Sequence, residues 1–295
     1  MRRVVASGHV TLSAMSQSQR AKRLRGRKDH WLPQGYLRGF IAPSRAQEDK
    51  PLWCFQRHAQ RWESLSTHEI AFGKGLYDYA TGTDYSVVTY PDSGFAGLER
   101  EFPQRREQMA ADQFATWEQH KEFLLEFMQM MRARSPLAMQ QQEAEVRKLR
   151  GSVITSVGPD RRSVTVDSME PRLLPEHVVR NMTISRVLGD AKSGVSWMDR
   201  FHWCLLYTDN ENDPFCTTDQ PLTVIATLPE KETDMELLFH PKTIVIFPLC
   251  WRACIFGRPL KFDKPYDRAH SAQLEGLRTD QKRFADRFVI SPVTF

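Results

Sequence analysis

The chain has 295 residues, of which 41% are apolar and 26% are charged, the composition of an ordinary globular protein. No apolar run reaches the ~18 residues that a membrane-spanning helix needs, so the composition excludes a transmembrane protein. We expect a cytoplasmic protein with no membrane partner and one main domain over residues 29–295.

Basic residues are concentrated at the start of the chain. The net charge is +5, yet residues 1–28 hold eight Lys and Arg residues and no acid, so the remainder is slightly acidic. We predict a basic, disordered tail over residues 1–28. Such a tail either stays solvated or contacts nucleic-acid phosphates without sequence specificity, and the composition leaves both alternatives open. Met15 is a second candidate for the start of translation.

Five cysteines are spread along the chain. Their odd number, wide spacing and apolar neighbours predict buried free thiols rather than a disulfide framework. The nearest pair has the spacing C-x-x-x-C, but no second Cys or His pair lies close in sequence to complete a zinc site. The cysteines are Cys54, Cys204, Cys216, Cys250 and Cys254.

Aromatic and turn-forming residues dominate the first part of the body. In Asp29–Phe40, Pro33 and Gly35 predict a turn followed by a short helix or an extended piece. Leu52–Gln56 and Arg61–Leu65 have strand length and strand composition, and the four residues between them suit a hairpin loop.

The middle of the chain has helical periodicity. Phe95–Gln108 is predicted as a helix that its internal proline kinks or restarts. Trp117–Arg134 is the clearest helix, and Thr116 with Gln119 fits a capping box at its start. Ser135-Pro136 ends this helix. Its wide apolar face predicts burial and consists of Trp117, Phe123, Leu124, Phe127, Met128, Met130 and Met131.

Strand patterns dominate the end of the chain. Gly151–Pro171 is predicted as a strand-and-turn excursion and Pro175–Leu188 as a helix. Helices in the middle followed by strands indicate an α+β fold, with central buried helices packed on a mostly antiparallel sheet. The late predicted elements are the strands Phe201–Tyr207, Leu222–Ala226, Thr243–Leu249 and Arg252–Phe256, the polar helix Ala269–Phe284 and the strand Arg287–Ile290.

Six short motifs occur in order along the body. They are His30–Phe40 (HWLPQGYLRGF), Leu52–Phe55, Ile70-Ala71 with Leu76-Tyr77, Arg132–Pro136, Phe215–Pro221 (FCTTDQP) and Phe247–Leu249. In this order they resemble the family catalogued as domain of unknown function 4238, over about residues 29–290. Thr218 stands where that family usually has Ser. The family has no established activity, so the resemblance implies a shared fold and shared candidate positions.

Two motif residues are candidates for proton transfer. His30 titrates near neutrality and suits a general base or a metal ligand, although its aromatic neighbours equally suit a packed niche. Asp219 follows a strand-like segment and lies two residues before a proline, which places it at a sheet edge or a turn. Catalytic carboxylates are often held in this way, on a loop anchored by a strand. Asp is also a common turn residue because its carboxylate accepts nearby backbone N–H groups, so a structural role stays open.

Two further residues are candidates for binding charged groups. Arg134 ends the long helix, where its guanidinium either binds an anionic substrate or offsets the helix dipole. Glu99 and Glu101 do not share a helix face, so they are a poor carboxylate pair. Glu101 alone is retained as a candidate that faces a cleft.

The motifs of P-loop NTPases, Rossmann dehydrogenases, zincin proteases and α/β-hydrolases are absent from the sequence. Our first hypothesis is a hydrolase acting on phosphodiester bonds of nucleic acid, with a divalent metal as candidate cofactor. In it, His30 is the base or a metal ligand, Asp219 orients His30 or binds the metal, and Arg134 holds phosphate. The alternative is a non-catalytic protein- or nucleic-acid-binding module. The first hypothesis requires these residues to share a cleft.

Overall fold

The computed structural model describes residues 28–74, 76–81, 86–89, 95–148, 151–157, 164–169, 176–225 and 240–295, so the predicted basic tail lies almost entirely outside the described residues. The α-helices are α1 (Gln34–Leu37), α2 (Ala96–Ala111), α3 (Lys121–Ala133), α4 (Pro136–Lys148), α5 (Glu176–Ser193) and α6 (Ser271–Phe284). The strands are β1 (Lys28–His30), β2 (Leu52–Gln56), β3 (Arg61–Leu65), β4 (Phe72–Lys74), β5 (Asp78–Thr81), β6 (Ser86–Thr89), β7 (Gly151–Val157), β8 (Val164–Met169), β9 (His202–Tyr207), β10 (Thr217–Thr218), β11 (Thr223–Ile225), β12 (Ile244–Cys250), β13 (Ala253–Arg258), β14 (Tyr266–Arg268) and β15 (Phe288–Ser291).

The strands form two larger sheets and three small antiparallel pairs. One larger sheet has the order β10-β15-β2-β3, and the other has the order β11-β12-β13-β9-β14. Every pair in these sheets is antiparallel except β14, which runs parallel to β9. The α+β class, with mostly antiparallel pairing, is therefore confirmed.

The predicted hairpin of β2 and β3 is confirmed residue for residue, with Leu52 opposite Leu65 and Gln56 opposite Arg61. The C-x-x-x-C segment is also a hairpin, because Cys250 ends β12 and pairs with Ala253 at the start of β13.

The long central helix differs from its prediction at both ends. The predicted capping box is wrong, because Thr116 makes no side-chain capping bond and the Asp112 carboxylate accepts the Thr116 N–H instead. Residues 117–120 form a 3₁₀ turn before α3 begins. Ser135-Pro136 does end α3, but it also begins α4, which the sequence analysis did not predict. Ser135 Oγ accepts the Ala138 N–H, and Pro136 suits a first helical position because it has no N–H to satisfy.

Aromatic rings fill the centre of the core. All seven residues of the apolar face predicted for Trp117–Arg134 are buried, which confirms that face; six lie on α3 and Trp117 lies in the turn before it. The Tyr36 ring lies within 5.8 Å of the ring centroids of Phe102 and Phe247, and Phe102 stacks on Phe127 at 4.0 Å. The core thus joins α1, α2, α3 and β12 around one tyrosine.

The described residues include no helix with the length and apolarity needed to cross a membrane.

Helix α1 approaches α2 closely because Gly35 has no side chain. A Cβ atom at Gly35 would lie 2.8 Å from Cγ of Pro103, which is a ring atom that cannot rotate away. Pro103 stands inside α2 without ending it, so the predicted restart of the helix does not occur. The proline ring instead forms the surface against which the α1 backbone packs.

We expect Gly35→Ala to destabilise the protein by about 1–3 kcal/mol, since an added methyl group overpacks this contact. The measurement is the free energy of unfolding in urea. Gly276→Ala is the matched control, because Gly276 is an exposed position of α6 where an added Cβ meets nothing within 4 Å. That control should be stabilising by about 0.5–1 kcal/mol. Equal effects at both positions would contradict the close approach.

Candidate functional site

The Tyr36 hydroxyl joins three of the family-like motifs inside the core. It lies 2.8 Å from Thr217 Oγ1 and donates to the Pro248 carbonyl at 2.8 Å. Because a phenol has one proton, the Thr217 hydroxyl must be the donor in the other bond. Tyr36 is fully buried, and burial raises its pKa well above the usual value, so the hydroxyl stays protonated. The three motifs therefore converge on a sealed hydrogen-bond centre.

Asp219 fastens the β10–β11 loop to the turn between α6 and β15. Its carboxylate oxygens accept the backbone N–H groups of Asp286 and Arg287, each at 3.1 Å. The residue is 1% exposed, and desolvation raises its pKa despite the hydrogen bonds from backbone N–H groups. The carboxylate thus connects two loops within the protein interior.

Arg134 is held between α2 and the start of the body. It is buried at the C-terminal end of α3, where its guanidinium forms an ion pair with Glu99 and donates to the His30 carbonyl at 2.8 Å. The guanidinium also lies 5.1 Å from the Tyr77 ring centroid and 5.3 Å from that of Phe95. Arg134 is thus engaged by protein partners on several sides.

Glu99, which the sequence analysis set aside, is the carboxylate that meets Arg134. A sequence signal existed, because Glu99 follows Phe95 by four residues and therefore shares the buried stripe of α2. Glu101 lies off that stripe, is exposed, and pairs with Arg105 at 2.5 Å.

His30 belongs to a chain of hydrogen bonds at the half-buried edge of α1. Its Nδ1 lies 3.2 Å from the Ile70 carbonyl, and its Nε2 lies 3.2 Å from Gln34 Nε2. The same amide nitrogen lies 2.8 Å from Nδ1 of the exposed His68. Arg38 Nη2 stands 3.5 Å from Gln34 Oε1. Two imidazoles are thus bridged by one amide, with an exposed arginine beside it.

The hydrogen-bond partners define the tautomer of His30. A carbonyl oxygen can only accept, so Nδ1 of His30 carries the proton and donates to Ile70. Nε2 then presents a lone pair, which the Gln34 amide satisfies. Ala71, next to Ile70, has a φ of 55°, a left-handed conformation that non-glycine residues rarely adopt. The strained residue forms part of the turn that directs the Ile70 carbonyl at His30.

The structure therefore brings His30 and Arg134 together, through the His30 carbonyl. Asp219 bonds to the turn before β15, and Glu101 bonds on the exposed face of α2. His68 was missed because it lies 34 positions from Gln34, and residues so far apart carry no mutual signal in one sequence. Gln34 was missed although it lies only four residues from His30.

The predicted free, buried cysteines are confirmed at all five positions. Burial raises the pKa of the Cys54 thiol to about 12 and that of Cys204 to about 11. Protonated, buried thiols are poor nucleophiles and poor metal ligands.

Within the described ranges, no group of three or more His, Cys, Asp or Glu side chains is arranged to hold a metal ion. The divalent metal of the first hypothesis stays a prediction.

The sequence matches the family described as protein of unknown function (DUF4238) over residues 28–291. The chain belongs to this family, as its six motifs indicated. No significant match was found among curated proteins or among solved structures.

We expect Tyr36→Phe to lower the free energy of unfolding by about 1–3 kcal/mol, because it leaves the buried Pro248 carbonyl without its donor. Chemical denaturation measures this loss. Tyr207→Phe is the control, since the Tyr207 hydroxyl makes no hydrogen bond to another described residue. A loss no larger than that of the control would contradict the role of the Tyr36 hydroxyl.

We expect the stability difference between the native protein and Asp219→Asn to depend on pH. The folded-state pKa of Asp219 is raised, chiefly by desolvation, above the ordinary value of 3.8. The contribution of Asp219 to stability is therefore fully present below that value and is lost as pH rises through the folded-state pKa. The Asp219→Asn variant does not titrate at this position. Its deficit should thus shrink between about pH 3 and pH 7 in urea titrations. A deficit that grows over this range would mean that the backbone N–H groups lower the pKa more than burial raises it.

Proposed function

We propose that this chain cleaves phosphodiester bonds of RNA, with His30 and His68 as an acid–base pair. The observation that carries the proposal is the position of Gln34 Nε2, within hydrogen-bond distance of a ring nitrogen of both imidazoles. When the Gln34 amide moves aside, the reacting group of a substrate can take its place between the two ring nitrogens, with His30 as the base and His68 as the acid once His68 Nδ1 has gained a proton from solvent. The proposal keeps His30 as the base of our first hypothesis.

The tautomer of His30 suits the role of base. Its Nδ1–H is held by the Ile70 carbonyl, so the lone pair of Nε2 points towards Gln34 and His68. Arg134 acts as a positioning residue, because its guanidinium binds the His30 carbonyl while Glu99 fixes the guanidinium. Arg38, exposed and adjacent to Gln34, supplies a cation for the phosphate in place of the buried Arg134.

The substrate class follows from what an imidazole pair can supply. RNA carries its own nucleophile, so cleavage needs one group to remove a proton and another to donate one. His30 Nε2 takes the proton from the 2′-hydroxyl, and the 2′-oxygen forms a bond to phosphorus. The bond from phosphorus to the 5′-oxygen breaks, and His68 Nδ1 gives that oxygen the proton that it gained from solvent when the Gln34 amide moved aside. The products are a 2′,3′-cyclic phosphate and a 5′-hydroxyl, and water can then open the cyclic phosphate with the roles reversed.

A non-catalytic binding module is the second candidate. Its support is the engagement of Arg134 by Glu99 and His30, together with the burial of Asp219 among backbone N–H groups. Under this alternative the motif residues are scaffold, and the imidazole pair is a surface hydrogen-bond network.

The test is cleavage of a labelled single-stranded RNA by the purified full chain, with EDTA in one arm and Mg²⁺ in the other. We expect 2′,3′-cyclic phosphate ends in both arms and no cut at a 2′-deoxy nucleotide. His30→Ala and His68→Ala should each lower the rate by at least about 100-fold, the range for loss of an acid or base. His58→Ala is the matched control, because His58 is exposed on the β2–β3 loop.

Thermal unfolding of each variant must show that the fold is retained. No cleavage by the native chain, or cleavage that both His30→Ala and His68→Ala leave unchanged, would overturn the proposal and favour the binding module. Cleavage that requires Mg²⁺ and proceeds at the same rate in His68→Ala would also overturn the proposal.

A further inference from the structure

We infer that a groove beside α3 and α4 binds a purine base. This glutamine groove is lined by Met131, Arg132, Gln141, Gln220 and Leu222, among others, and encloses about 200 Å³. That volume is below the ~300–1,000 Å³ of pockets for drug-sized ligands, so it suits one compact ring system. The inference goes beyond the cleavage proposal and stands on the geometry of the groove itself.

The polar groups of the groove are suited to reading the edge of a heterocycle. Gln141 lies on α4 and Gln220 on the β10–β11 loop, so the two amides come from separate elements. Neither side-chain amide has a hydrogen-bond partner within the described part of the chain. A primary amide offers one donor group beside one acceptor, which matches the N6 and N7 edge of adenine.

The apolar groups are suited to the faces of a ring. The apolar side chains with surface to offer are the exposed Leu137 and the half-buried Val224, which line the same groove. Nucleobases in single strands are commonly recognised by contact on their faces together with hydrogen bonds at their edges. A peptide would need a longer groove with a row of backbone partners, so the compact volume favours a base.

The family-like motifs hold this groove in shape. Thr218 Oγ1 donates to the Gln220 carbonyl at 2.7 Å and accepts the Gln220 N–H at 3.0 Å. Asp219 anchors the same loop to the turn before β15. On the other side, Ser135 both lines the groove and begins α4, which carries Gln141. The motif at residues 217–221 thus positions Gln220 at the edge of the groove.

The groove is connected to the imidazole pair through Arg134. Ser135 directly follows Arg134, whose guanidinium binds the His30 carbonyl. A second pocket shares Arg132 and Gln141 with the groove. Its remaining polar groups are already paired, since Gln129 bonds to the Asp190 carbonyl and Gln142 to the Asp190 carboxylate. The base is therefore assigned to the glutamine groove rather than to this neighbour.

The experiment is calorimetric titration of the full chain with AMP, GMP, CMP, UMP and ribose 5-phosphate. We expect a purine monophosphate to bind at least tenfold more tightly than ribose 5-phosphate, which carries the phosphate without a base. Gln141→Ala and Gln220→Ala should each weaken that binding tenfold or more. Gln140→Ala is the matched control, because Gln140 is the exposed neighbour on the same helix and does not line the groove.

His68→Ala should leave purine binding within twofold, so failure of the cleavage proposal and failure of this one can be told apart. Binding that is equal for ribose 5-phosphate and AMP, or that neither Gln141→Ala nor Gln220→Ala weakens, would overturn the inference. So would an absence of nucleotide binding, or preferential binding of a short peptide with the same sensitivity to Gln141→Ala.

Discussion

The hydrogen bonds of the Tyr36 hydroxyl hold together segments that are far apart in the sequence. Thr217 and Pro248 lie 181 and 212 residues from Tyr36, yet both bond to this one oxygen inside the core. A buried polar group without a partner is costly, so these two bonds fix how α1 sits against β10 and β12. The positions of His30 and of the β10–β11 loop depend on that arrangement, because they extend from the elements that the hydroxyl joins.

Residue patterns over short stretches of the sequence were sufficient to predict much of the fold. The apolar stripe of α3, the β2–β3 hairpin and the strands β12 and β13 depend on residues close along the chain, and each was predicted to within a few residues. The pairing of β12 with β13 was not predicted. The start of α3 was not, because the Asp112 carboxylate accepts the Thr116 N–H, which is the role that the capping box assigned to the Gln119 side chain. Helix α4 was missed because Ser135-Pro136 gives the same local signal for the end of one helix and the start of the next.

The candidate site was less predictable, because its contacts are long-range. Arg134 and His30 were recognised as charged or titratable residues within motifs. Their contact, however, is made by the backbone carbonyl of His30, and a pattern of side chains cannot predict such a contact. Glu101 was preferred to Glu99 although the spacing from Phe95 already favoured Glu99 for the buried face. The bridge from His30 through Gln34 to His68 arises only once β1, α1 and the turn near residue 68 are folded.

The two proposed sites depend on the same set of buried contacts. The buried bonds of Tyr36, Asp219 and Arg134 are structural, and they orient other groups at the surface: an imidazole pair at one place and a pair of amides at another. This division explains how motif residues can be engaged by protein partners and still serve a function, since sites need supporting residues as well as reacting ones.

The tautomer of the His30 ring is the decisive measurement, because the bridge between the two imidazoles depends on it. Long-range ¹H–¹⁵N correlation spectra of the histidine rings distinguish the two neutral tautomers and report hydrogen bonds at each nitrogen. We expect neutral His30 to carry its proton on Nδ1, and Gln34→Ala to shift the Nε2 resonance. A proton on Nε2 would contradict it, because the Gln34 amide could not then donate to that nitrogen and the bridge between the imidazoles would be lost.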